Sequence, residues 1–435
     1  MNQYAEAFEA FNRHAESGWL KSQRIAAFAR FEHLGFPING VEAWKYTNTK
    51  ALAKRPFVLA EGYDLQAAQK LLNEAAVTLD SHQLVFVNGI FVPELSDLSS
   101  LPQALVVEPL SEALDKELEL TCGMMGRLAG IDSDVFTALN FAFAGEGAVI
   151  RVGNNQVIDK PINLIHLSTA SDQPQMSHPR ILIAAGSSSQ LQLVEQFVGD
   201  DEAVHFTNRV AEVVLERNAQ LTHYLLETPG DQSWLIGRTQ VEQQRDSRYG
   251  CHHMNLGGKL VRDDLVCDLN GKGASSHFSG LLFGRNKQHL DIHSLVHHNA
   301  PQTYSHENYK AILNDKAKGV FNGKVVVKKD SQQIQADQSN ANLLLSDQAE
   351  IDTKPELEIY ADDVKCSHGA TTGQLDETAL FYLKSRGLSD ELARGLLTLA
   401  FANEVIDELK LAPLYKRVEE SVAGHLPHQV DLEEL

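Results

Sequence analysis

Cys366-Ser367-His368 is the stretch of this 435-residue chain whose side chains most directly offer chemistry. In an extended backbone, residues two apart point to one side, about 6.5–7 Å apart along the strand. The preceding Leu357-Glu358-Ile359-Tyr360-Ala361 alternates apolar and polar residues, which predicts a strand with one buried face. A thiol and an imidazole facing one way can ligate a soft metal or hold a sulfur species. Two ligands do not close a four-coordinate site, so the remaining donors must come from elsewhere in this chain or from another.

The other candidates in the chain carry weaker signals. The four cysteines stand at 122, 251, 267 and 366, with no C-x-x-C pair. That spacing excludes a zinc ribbon, a ferredoxin-type cluster and a thioredoxin motif. His289, His293 and His297 recur every four residues with Asp291 between two of them, and Cys251-His252-His253 and His298 add further donors. A hydrolytic zinc site could draw on this row, but H-E-x-x-H is absent and a solvated polar face is the favoured expectation. Nothing in the sequence orients Ser275-Ser276-His277 as a nucleophile and base. Asp263-Asp264 and Asp362-Asp363 are adjacent, so on a strand each pair points to opposite faces rather than cooperating in acid–base work. Gly271-Lys272-Gly273 reads as a turn, and no G-x-S-x-G elbow, P-loop or G-x-G-x-x-G motif is present.

These residues sit in a chain of three textures, expected to divide at 1–147, 148–373 and 374–435. The first is mostly helical: Tyr4, Phe8 and Phe11, then Ile25, Phe28 and Phe31, recur at spacings of three and four. A helix is expected over 65–79, and short strands at 83–87 and 90–92 turn at Asn88-Gly89. Helical pattern returns over 110–143, with Asp132 or Ser133 as the cap of its second part. From 148 to 373, short Val-, Ile- and Leu-rich runs alternate with Gly, Asn, Asp and Ser turns. Ser189-Gln190-Leu191, Ala219-Gln220-Leu221 and Ala349-Glu350-Ile351, with the looser Ala317-Lys318-Gly319, suggest a rhythm of about 30 residues. Recurring strands without intervening helices favour a β-solenoid over a β-sandwich. Helices are expected again over 375–386, from the cap Ser389 to 410, and over 414–422, before a frayed acidic tail at 431–435.

Composition narrows the partners. Acidic residues outnumber basic ones by 58 to 38, a formal charge of −20 that repels phosphate backbones and anionic lipid. Neither nucleic acid nor a membrane is therefore the expected partner. No stretch reaches the roughly 20 apolar residues needed to span a bilayer. The N-terminal MNQYAEAFEAFNRHAE is acidic where a targeting peptide would be basic, so a cytoplasmic location is expected.

Several runs carry a resemblance. Tyr309-Lys310-Ala311-Ile312-Leu313, Lys318-Gly319-Val320-Phe321-Asn322-Gly323-Lys324, Asn342-Leu343-Leu344-Leu345 and the stretch Tyr360 to Thr371 around Cys366 and His368 are similar to the SufB/SufD family of iron–sulfur cluster assembly scaffolds. So is Glu42-Ala43-Trp44-Lys45-Tyr46-Thr47, and the pattern looks more SufD-like than SufB-like. The match is dense over 300–410, looser over 150–300 and sparse before that. The resemblance implies a mainly β fold, a right-handed parallel β-helix between helical ends. It implies a non-catalytic subunit of a complex with SufB, met through the β-helix, and with the ABC-type ATPase SufC, met through the C-terminal helices. It further implies a nascent iron–sulfur cluster at the SufB interface, with His368 and Cys366 as metal or cofactor ligands and no cluster bound tightly by the isolated chain. The alternatives are a β-helix polysaccharide hydrolase or lyase, or a homodimeric metal-binding module; self-association of the isolated chain is a further expectation.

Overall fold

The computed structural model describes residues 2–13, 18–38, 40–116 and 118–426; the expected acidic tail at 431–435 lies outside them. The β-branched runs become strands that stack in parallel register into two walls, so the solenoid expectation holds and the sandwich does not. Wall one ends with His289–His298, Lys318–Val327 and Glu350–Ile359, and wall two with Tyr304–Leu313, Ile334–Leu344 and Val364–Gly373.

A corner residue sets each rung. Gln190, Gln220, Arg248, Ser275, Tyr304, Gln335 and Lys365 follow one another in register up wall two. Two residues before the first six stand Ser188, Asn218, Asp246, Gly273, Gln302 and Gln333, all left-handed with φ between 58° and 76°. Short polar side chains and glycine tolerate that conformation best. The residue that follows each left-handed position is fully buried, as at Ser189, Ala219, Ser247 and Ala274. The apparent repeat mixed two corners: Ser189 and Ala219 open strands of wall two, whereas Ala317 and Ala349 open strands of wall one.

Between the walls, alternate side chains stack in columns such as Val213, Val241, Cys267, Val296, Val325 and Leu357. Each fully buried side chain of this kind stabilises by about 1.5–3 kcal/mol. Strands also enter from before residue 147. His82–Val87 pairs in parallel with Ile162–Ser168 and turns at Asn88-Gly89 into Ile90–Phe91, while Leu105–Pro109 pairs antiparallel with Gly147–Val152.

Helices flank the walls at both ends. Asn2–Arg13 and Trp19–Leu34 bury Tyr4, Phe8, Phe28 and Phe31, with the Phe8 and Phe28 rings stacked at 4.2 Å. Ile25, expected on that apolar face, is instead 50% exposed. The helix Val135–Ala142 is capped by Asp134, whose carboxylate accepts from the Phe136 and Thr137 amides, rather than by Asp132 or Ser133. The expected helix over 65–79 is shorter, Leu65–Ala75. At the C-terminus stand Glu377–Ser385, Asp390–Ile406 and Ala412–His425, with Ser389 capping the second. They pack on the outside of wall two through Val405, Ile406, Leu414 and Val418, against Tyr224, Met254, Leu281 and Ile312. Lys310 donates to Glu404 at 2.5 Å and His277 meets Glu408 at 2.5 Å, tying the two parts together. No helix among the described residues is long and apolar enough to cross a membrane.

Candidate functional site

Cys366 and His368 lie on Val364–Gly373, the last strand of wall two, which among the described residues pairs on one side only. Beside it Glu350–Ile359 ends wall one, so both walls finish at one open end of the solenoid. Alternation gives the two side chains a common face, and register pairs Cys366 with Ala336 and His368 with Gln338. Their environments differ. Cys366 is half-buried against the core, and burial pushes its thiol above the ordinary value while a hydrogen bond with the Ala336 backbone partly offsets this. His368 is exposed, as is every residue from Ser367 to Gly373.

Beneath His368 runs a buried polar relay. Gln338 donates from Nε2 to Glu307 Oε1 at 3.1 Å, and Ser294 Oγ donates to Glu307 Oε2 at 2.5 Å. Burial pushes the Glu307 carboxyl up to about 7, against the two hydrogen bonds that favour its charged form. Deeper in the solenoid, Arg209 donates to both oxygens of Glu195, and His223 Nε2 donates to Glu195 Oε2 at 2.8 Å, all three fully buried. Burial alone would raise Glu195; Arg209 and His223 together hold it well below the usual carboxylate range. Isolated polar letters inside apolar strand runs, such as Glu195 and Arg209, are the signal that could have disclosed this interior network.

The structure distributes the other candidates. The histidine row is neither a metal centre nor a solvated face. His289 meets Thr47 Oγ1 at 2.8 Å, His293 meets Asp291 at 2.9 Å, and His297 meets Asp268 at 2.8 Å. Asp291 is fully buried and also accepts from Thr47 and from Arg262, whose guanidinium lies 3.9 Å from the centre of the Trp44 ring. Burial pushes Asp291 up, but His293 and Arg262 outweigh it and hold the carboxyl below its ordinary range. The residues Trp44 and Thr47 thus pin the N-terminal region to wall one.

Cys251 lies inside the solenoid, its thiol pushed up to about 12 by burial, and Cys267 is equally buried. His277 is engaged by Glu408 and, among the described residues, has no serine partner. Asp263 points inward while Asp264 pairs with Arg262 outside, as alternation requires. Gly273 occupies a turn corner. Among the described residues, no group of three or more His, Cys, Asp or Glu side chains is placed to hold a metal ion.

Comparison with known proteins places this arrangement. Residues 166–401 match the family described as SUF system FeS cluster assembly, SufBD core domain, and residues 1–164 match the SufBD protein N-terminal region. An iron–sulfur cluster assembly SufBD family protein of Synechocystis is 34% identical, the alignment covering 94% of this chain and 91% of that protein. The iron–sulfur cluster assembly protein SufD of Escherichia coli is 31% identical over 90% of each chain. A chloroplastic protein of Arabidopsis thaliana, ABCI7, is 30% identical over 98% of this chain and 90% of its own. With its two parallel walls and the two family regions covering nearly its whole length, the chain belongs to the SufB/SufD family as a SufD-type member, with a role in iron–sulfur cluster assembly.

Proposed function

We propose that the chain is a non-catalytic scaffold subunit whose open solenoid end meets a SufB-type partner and holds a nascent iron–sulfur cluster between the two. The observation that carries this reading is the position of His368 and Cys366 on an exposed, one-sided terminal strand. Such a strand leaves backbone donors and acceptors free for another chain, and folds that retain one normally cover it. The cluster is the cargo; His368 contributes an imidazole and Cys366 a thiolate, and the remaining ligands come from the partner. Cys366 becomes a ligand on deprotonation, which a metal drives even for a thiol raised by burial.

The second contact is with an ABC-type ATPase of the SufC kind, through the C-terminal helices. Phe381 and Tyr382 on Glu377–Ser385 are 75% and 56% exposed. Adjacent exposed aromatics of this size are enriched at protein interfaces. ATP hydrolysis belongs to that partner, and this chain works in the cytoplasm as part of the complex.

Co-purification tests the assembly. Ala370→Arg, at an exposed position of the terminal strand, is expected to reduce recovery of the SufB-type partner at least tenfold while the chain stays folded. Undiminished recovery contradicts the proposed interface.

A further inference from the structure

The relay beneath His368 has one unused atom, at its outer end. Gln338 is 4% exposed, and its amide is oriented by the bond from Nε2 to Glu307 Oε1. Glu307 is held in turn by Ser294. Because Nε2 faces down the column toward Glu307, Oε1 is the atom left over, and it is buried without a partner. The next residue up that column is His368, the register neighbour of Gln338 on the terminal strand. Strands in register lie about 4.8 Å apart, within reach of a side-chain hydrogen bond. The His368 ring makes no hydrogen bond among the described residues, so a rotation of this exposed imidazole breaks no existing hydrogen bond.

We propose that Gln338 is a positioning residue for His368. Its Oε1 accepts one imidazole N–H, fixing the neutral tautomer and leaving the other ring nitrogen's lone pair directed out of the open end. A histidine that ligates a metal commonly donates its second N–H to a carbonyl or carboxylate that sets ring orientation and basicity. A buried carbonyl oxygen with no donor is also costly, which favours the pairing from the Gln338 side. Glu307 and Ser294 act one step further back by preventing the amide from turning over. The inference rests on the reading of His368 as a ligand, but the geometry is a property of the isolated chain.

The test is histidine-selective ¹⁵N NMR of the full-length isolated chain, with His368→Ala assigning the resonance. In the unsubstituted chain one neutral tautomer of His368 should dominate. Gln338→Leu should shift the tautomer ratio on the order of fivefold toward that of a free imidazole, the change expected when one neutral hydrogen bond is lost. A ratio identical in the two chains overturns the inference, and so does a free-imidazole ratio in the unsubstituted chain, which needs no substitution to measure. If Gln338 is confirmed but the assembled complex carries a full cluster without His368, the ligand reading fails and the positioning geometry stands.

Discussion

Cys366 packs half-buried against the solenoid core, while His368, two residues on and on the same face, stands exposed beside Gln338 of the neighbouring strand. One strand therefore offers a shielded thiol and an open imidazole at the same end of the molecule. The two should be separable by experiment.

Stability separates them first. In a Gln338→Leu background, where no hydrogen bond to the ring remains, His368→Ala removes only an exposed side chain and should change unfolding free energy by less than about 0.5 kcal/mol. Cys366→Ala removes a half-buried sulfur and should cost about 1 kcal/mol. Denaturant unfolding of the two variants checks this ordering.

Thiol reactivity follows the burial gradient. Burial raises Cys366 and Cys122 above the ordinary thiol value and pushes Cys251 up to about 12. Alkylation by iodoacetamide should therefore be slow at Cys366 at neutral pH and accelerate above the range of a free cysteine, because the thiolate is the nucleophile. Cys251 and Cys267 should stay unmodified until the chain unfolds, as read by peptide mass spectrometry.

The dependence of stability on pH has a definite sign. Burial holds His178, His205 and His253 down to about 3, and His166, His252 and His298 to about 4. Between about 4 and 6.5 the unfolded chain binds protons at these imidazoles that the folded chain does not, so their contribution is lost as pH falls. Glu146 and Glu307, raised to about 7, Asp263, raised to about 6, and Glu227, raised well above its ordinary value by burial, act in the opposite sense but are fewer. Thermal stability should rise from about pH 4.5 to 6.5, then decline as pH passes through the raised carboxyl values near 7. Melting temperatures across that range check both limbs.

Removing Arg209 should be severe. Arg209→Met leaves Glu195 buried with one hydrogen bond from His223 and the His166 ring 3.9 Å away, and losing one partner of a buried ion pair costs about 3–5 kcal/mol. The double variant Arg209→Met with Glu195→Leu should recover a large part of that loss. A single variant as stable as the unsubstituted chain would show that the pair is not what holds this region.

The exposed aromatics give a binding prediction without a stability cost. Phe381→Ser with Tyr382→Ser should leave the melting temperature unchanged and weaken capture of the proposed SufC-type ATPase at least tenfold, measured by titration against that protein.

Much of this was legible in the chain. The change of texture near residue 148, the Asn88-Gly89 hairpin and the Ser389 cap are local signals, and local physics decides them. The strand expected over 357–361 instead ends at Ile359, which is 39% exposed, and a bend separates it from the strand that carries Cys366. The strands at His82–Val87 and Leu105–Pro109 were harder to place because their role is set by pairing with residues far along the chain. The histidine row misled for the same reason. Spacing puts His289 and His293 near Asp291, but only the folded chain brings Thr47 and Arg262 from elsewhere to satisfy that carboxylate. Capping by Asp134 instead of Asp132 or Ser133 turned on where the helix begins, a boundary that hydrophobic period alone leaves loose.

The central claim is that His368 supplies a ligand to a cluster shared with a partner chain. Its most direct test is the anaerobic iron and sulfide content of the purified complex of this chain with the proposed SufB- and SufC-type partners, compared for His368→Ala and the unsubstituted chain. The account predicts a complex that assembles with normal stoichiometry but loses its iron and sulfide. An assembled His368→Ala complex with an undiminished cluster would contradict it.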